Sequence, residues 1–146
     1  MAWTSRGFTV AEAAQLAGLH RSALDVIIHR ARHVSVLWSE KRATRRWFSP
    51  RDICVLRIAH ELERSGRSWL MSIGTAFDNL EHPPTADTLL VAPAVIRRGC
   101  GLPRVIPERD ANRLPFDVST IVVPFGRICN DIIARCAELE SSRVAV

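Results

Sequence analysis

The sequence contains no apolar run near the roughly 18 residues that a membrane-spanning helix requires, so no membrane partner is expected. Its first residues, Met1-Ala2-Trp3-Thr4-Ser5-Arg6, lack the apolar centre of a secretory signal, and the chain is expected to stay in the cytoplasm. Cysteine is sparse. Cys54, Cys100, Cys129 and Cys136 form no C-x-x-C pair and have no histidine at zinc-ligand spacing. They are expected to be small buried apolar residues rather than metal or redox centres. Catalytic signatures are also missing: there is no G-x-S-x-G and no phosphate-binding glycine loop. Of His20, His29, His33, His60 and His82, only His29 and His33 stand four apart, and Arg30-Ala31-Arg32 between them supplies no metallopeptidase glutamate. A non-enzyme without cofactor or metal is the expectation. No internal repeat or low-complexity tract is present.

Negative charge is scarce in one half only. Residues 1–70 hold 12 Arg or Lys against 6 Asp or Glu, whereas residues 71–146 hold 8 against 9. The net +5 therefore resides in the first half, as expected where a domain meets phosphates. Apolar residues at 47% suffice for a real core, and 24% charged residues do not signal disorder. With 146 residues, a head over 1–82 and a smaller module over 83–146 are expected.

Local signals order the head. Thr9 and Glu12 form a capping box before Ala11–Ala17, and Gly18 supplies the left-handed turn that closes this helix. Leu24, Ile27, Ile28 and Ala31 give a second helix, about Arg21–His33, one apolar face. Val34–Trp38 predicts a strand, Ser39–Thr44 a basic loop and Arg45–Phe48 a returning strand, a hairpin wing. Ser49 and Pro50 open a third helix to about Ser65, closed by Gly66. Trp69–Leu80 predicts a fourth, with Leu70, Ile73, Ala76, Phe77 and Leu80 inward, before His82-Pro83-Pro84.

Beyond Pro84, Thr88–Val91 and Thr120–Val123 read as buried strands, with Ala94–Ile96 and Val105–Ile106 weaker. The prolines argue for short or edge strands. A final helix, about Gly126–Ser141, carries Phe125, Cys129, Ile132, Cys136 and Leu139 at heptad spacing. That stripe is the expected dimerisation seam, since 4,3 spacing suits a helix-to-helix contact. The fold class is thus α+β: a winged helix-turn-helix head followed by a small strand-containing module that ends in a dimerisation helix.

With the apolar face of the second helix assigned to the core, its outer face retains His20, Arg21, Ser22, Asp25, His29, Arg30 and Arg32. The N-terminal part of such a helix enters the major groove, where Arg21 could hold a guanine bidentately. Lys41, Arg42, Arg45 and Arg46 on the wing suit phosphates or a minor groove, contacts that fix register. Trp38 and Trp47 are expected to pack the wing rather than stack on bases. A solvated polar face is the competing reading of both sets.

Phe8-Thr9-Val10-Ala11-Glu12-Ala13-Ala14-Gln15-Leu16-Ala17-Gly18-Leu19, then Leu24, then Arg46-Trp47-Phe48-Ser49-Pro50-Arg51-Asp52 with Leu56 and Ile58, resembles the N-terminal domain of MerR-type transcriptional regulators. The resemblance covers residues 8 to about 80. It implies a bacterial or phage-borne regulator and a DNA-backbone contact from Arg46, two residues before Phe48. Asp25, Val26 and Ile28 stand where the family often carries aromatic and Arg residues. The expected function is sequence-specific binding of double-stranded DNA by a homodimer on an inverted-repeat operator. The alternative is a protein-interaction adaptor that engages RNA polymerase or another regulator.

Overall fold

Thr9 and Glu12 start the first helix reciprocally. The Thr9 hydroxyl accepts from the Glu12 N–H at 3.3 Å, and Glu12 Oε1 accepts from the Thr9 N–H at 3.0 Å. Helix α1 (Val10–Ala17) ends at Gly18, whose φ of +70° lies where glycine escapes the Cβ penalty. Helix α2 (Arg21–Arg30) then buries Leu24 and Ile27, with Ala31 just beyond it, while Ile28 is only half-buried. The computed structural model describes residues 2–95, 97–99, 101–115 and 117–145.

Helix α2 stops short of the expected His33, and no strand forms over Val34–Trp38. Residues Ser35–Leu37 make a 3₁₀ turn instead. Trp38 explains the difference: its fully buried ring stacks on Phe48 at a centroid separation of 6.2 Å. Drawing that ring inward outweighs the β preference of Val34 and Val36. The returning strand lies where expected, as β2 (Arg45–Trp47), but its partner β1 (Glu40–Arg42) comes later than Val34–Trp38, with the two antiparallel and Lys41 opposite Arg46. Ala43 at its tip has φ +53°. Phe48 then bridges back to Phe8, tying the end of the hairpin to the start of α1.

Helix α3 (Pro50–Arg64) opens with a second capping box. The Ser49 hydroxyl accepts from the Asp52 N–H at 3.1 Å, and the Asp52 carboxylate accepts from the Ser49 N–H at 2.7 Å. Arg6 Nε donates to the same buried carboxylate at 2.9 Å. Ile53, Cys54, Val55, Leu56, Ile58, Ala59 and Leu62 are all buried, so α3 is enclosed on most sides, as expected of a central helix. It packs against α1 and against α4 (Trp69–Asp78). In α4, Ser72, Ile73 and Ala76 turn inward, whereas Leu70, expected inward, is 67% exposed. It stands one turn before Ile73, at the rim of the buried face.

The second half forms a three-stranded antiparallel sheet of order β4-β3-β5. Strand β3 (Thr88–Pro93) lies between β4 (Arg104–Pro107) and β5 (Thr120–Val123). Ala94 and Val95 lie outside any strand, and Ile96, the last residue of that weaker expectation, lies outside the described residues. Helix α5 (Phe125–Val144) follows at once.

The apolar stripe of α5, expected as a dimerisation seam, is buried within its own chain. Phe125, Cys129, Ile132 and Cys136 are at most 1% exposed within a single chain, and Leu139 packs on the same core. Helix α3 satisfies this face, with the Cys54 thiol 3.8 Å from the Cys129 carbonyl. One cluster of buried side chains therefore crosses the expected boundary near residue 82. Buried Arg67 adds a polar stitch by donating to the Pro93 carbonyl. Among the described residues, no helix is long and apolar enough to cross a membrane.

Close approach fixes the start of α5, because a Cβ on Gly126 would lie 2.0 Å from the Thr85 carbonyl oxygen. Gly126→Ala should therefore destabilise the chain by about 1 to 3 kcal/mol, the usual cost of overpacking. Urea denaturation checks this; a loss below about 0.5 kcal/mol, the range of ordinary surface changes, would mean that residues 84–86 give way freely.

Candidate nucleic-acid interface

The two parts of the expected site meet. Burying Leu24, Ile27 and Ala31 leaves the opposite side of α2 in solvent, and the Phe8–Phe48 bridge sets the hairpin beside it. Between them runs an open groove of about 460 Å³. Arg21, Asp25 and Ile28 of α2 form one wall, Lys41, Arg45 and Arg46 of the hairpin form the other, and Thr9, Val10 and Ala11 at the start of α1 close one end. Four cations thus face a space that contains one carboxylate.

Pairing on the α2 wall is loose. Arg21 Nε lies 3.3 Å from Asp25 Oδ1, and both side chains are 57% exposed. Such an exposed i,i+4 pair is worth only about 0.3 to 0.5 kcal/mol, so a stronger acceptor displaces it readily. Arg46 is steadier, half-buried and donating to the Ser39 hydroxyl at 3.1 Å. Lys41 and Arg45 are exposed.

The other expected residues stand apart. His20 precedes α2 without capping it through its side chain. His20, Ser22, His29 and Arg32 are exposed but do not line the groove. Arg30 reaches across to Glu63 of α3 at 3.4 Å. Arg42 does not line the groove: it donates to the Arg6 carbonyl at 2.7 Å, meets Glu40 at 3.2 Å and lies 5.5 Å from the centre of the Trp47 ring. It braces the hairpin. Conversely, Val10, Ala11, Ile28 and Thr44 line the groove without having been singled out for it. The Thr9–Glu12 box could have pointed to the first two, since it marks where helix N–H groups begin.

The sulfur atoms lie elsewhere. Cys54, Cys129 and Cys136 are buried between α3 and α5, and Cys100 lies outside the described residues. Burial pushes the Cys54 thiol well above its ordinary value, and burial together with the nearby Glu140 pushes Cys136 up to about 11. Both are therefore protonated and weakly nucleophilic near neutrality. Among the described residues, no group of three or more His, Cys, Asp or Glu is placed to hold a metal ion. No family model matches the chain, and no curated protein matches it.

Glu12 links the groove to the rest of the chain. Burial raises its pKa, but the Thr9 N–H, the Arg143 guanidinium and the Thr9 hydroxyl together hold the carboxyl below its ordinary value of 4.5. Arg143 of α5 donates to Glu12 and lies 5.2 Å from the centre of the Phe8 ring. Because the folded-state value is the lower one, the stabilisation is complete above pH 4.5 and is lost as pH falls through the depressed value. Glu12→Gln should flatten the dependence of stability on pH below 4.5 and cost about 1 kcal/mol at neutrality through the weakened cap. Denaturation at stepped pH reads both; an unchanged acid slope would contradict the assigned role.

Proposed function

We propose that this chain is a winged helix-turn-helix protein that binds double-stranded DNA sequence-specifically, as a transcriptional regulator acting as a dimer on an inverted repeat. The observation that carries the reading is the groove in which cations from α2 and from the hairpin converge. The resemblance of residues 8 to about 80 to MerR-type regulators supports it, as does the positive surplus of the first 70 residues. A winged head lays the start of its second helix into the major groove and its hairpin along the backbone.

In that pose Arg21 leaves Asp25 for the O6 and N7 of a guanine. Asp25 repels phosphate and can accept from a cytosine amine, so α2 is held to base edges. Lys41 and Arg45 take phosphates from the hairpin side, and Arg46, braced by Ser39, sets the height of the hairpin above the backbone. The free N–H groups at the start of α1 offer a further phosphate contact.

A second reading draws on α4, where Leu70 is 67% and Met71 43% exposed. That apolar surface suits an adaptor bound to RNA polymerase or another regulator. Salt separates the two, because counterion release makes DNA binding fall steeply with ionic strength, whereas an apolar interface is far less sensitive.

The test is selection from a randomised duplex pool at near-physiological salt, followed by anisotropy titrations of variants on the recovered site. Arg21→Ala should lose about 1 to 3 kcal/mol of preference at one base pair. Lys41→Ala and Arg45→Ala should weaken all sequences alike and each lower the salt slope by about 0.9. No enriched sequence together with salt-insensitive partner binding would sink the DNA reading in favour of the adaptor.

A further inference from the structure

The sheet has two edges, and they are defended differently. Strand β4 follows Pro103, begins with exposed Arg104 and ends in Pro107, features that block edge-to-edge pairing. Strand β5, Thr120-Ile121-Val122-Val123, carries neither charge nor proline. Hydrogen-bond alternation decides which of its groups are free. The Ala94 N–H donates to the Ser119 carbonyl at 3.0 Å, so Ser119, Ile121 and Val123 address β3, and the backbone groups of Thr120 and Val122 face away. Among the described residues, neither Thr120 nor Val122 makes a backbone hydrogen bond beyond the sheet. The Val122 side chain is 48% exposed and that of Val118 55%.

We propose that β5 pairs antiparallel with β5 of a second copy about a two-fold axis at Ile121, joining the two sheets into one. Two observations favour a second copy over another strand. With the axis at Ile121, Thr120 faces the second copy's Val122, and each supplies both donor and acceptor, so one edge satisfies itself isologously. The positive surplus lies in residues 1–70, so two copies meet here without the repulsion their heads would impose. The apolar stripe of α5 is already occupied within its own chain and does not compete with this edge for a second copy. The proposal rests on the DNA reading for its purpose alone, and the two can fail separately.

Sedimentation equilibrium of the full chain over a wide concentration range tests it. The wild type should be dimeric. Val122→Pro, which removes an outward N–H without touching the ladder to β3, should halve the apparent mass while the far-UV circular dichroism stays unchanged. Val105→Pro on the guarded β4 edge should leave the dimer intact. If Val122→Pro does not fold, Ile121→Cys decides: on the axis its Cα faces its own copy at about 4.5 Å, within disulfide reach, and mild oxidation should give a covalent dimer. A monomeric wild type, a folded Val122→Pro dimer or a dimeric Ile121→Cys that does not cross-link would each overturn the interface. Specific DNA binding by a monomeric wild type would sink the interface and leave the DNA reading standing. A wild-type dimer sensitive to Val122→Pro that binds no DNA would support the interface and sink the DNA reading.

Discussion

Burial of α3 on most of its sides is the constraint from which the other elements take their places. Each fully buried aliphatic side chain contributes about 1.5 to 3 kcal/mol, and α3 supplies Ile53, Val55, Leu56, Ile58 and Leu62 to the same core. No single neighbour could cover such a helix. Helix α1 takes one side, α4 another and α5 a third, with β5 reaching the same cluster. The polar start of the helix is secured as firmly as its apolar body, because Asp52 caps α3 and holds Arg6 through one buried carboxylate. Arg6 thereby fixes the segment that leads into Phe8 and α1.

The candidate interface follows from that anchoring. The hairpin enters α3 through Phe48 and Ser49, while α1 begins at Phe8, and the two phenylalanines share a backbone bridge. Whatever stands on the hairpin is therefore held beside α1 and α2. Trp38 locks the geometry from beneath by stacking on Phe48. Four cations face the groove: Arg21 loosely paired with Asp25, Arg46 held by Ser39, and Lys41 and Arg45 with no ion pair among the described residues, whereas Arg42 and Arg30 serve contacts elsewhere in the chain. A charge count cannot make that separation. Arg42 and Arg45 stand opposite each other in the hairpin register, and what parts them is the Arg6 carbonyl and Glu40 that engage Arg42.

Legibility in the sequence followed the range of the interaction responsible. The capping box at Thr9–Glu12, the N-cap at Ser49 with Pro50 after it and the left-handed Gly18 act within a few residues, and the structure has all of them. The strands Thr88–Val91 and Thr120–Val123 were readable because β-branched runs between turns have few alternatives. The apparent strand Val34–Trp38 misled for the opposite reason: its β-branched residues signalled one structure while Trp38, two positions beyond Val36, was needed in the core. Leu70 misled because an apolar residue at helical spacing carries no label saying whether a partner covers it.

The α5 stripe marks the division most clearly. From the sequence alone came its helical character, its period and the fact that Phe125, Cys129, Ile132, Cys136 and Leu139 share one face, since those depend on the repeat of the backbone. Which surface that face would meet was decided only by the tertiary structure. A heptad stripe has the same spacing whether it packs on a second chain or on a helix of its own, and α3, tethered in the same chain, had an apolar side left to cover. The first helices and the sign of the charge on them were likewise settled locally. The meeting of Arg21 with Lys41 and Arg45 across one groove required the Phe8–Phe48 bridge, a contact between residues forty apart in the chain, and no local rule specifies it.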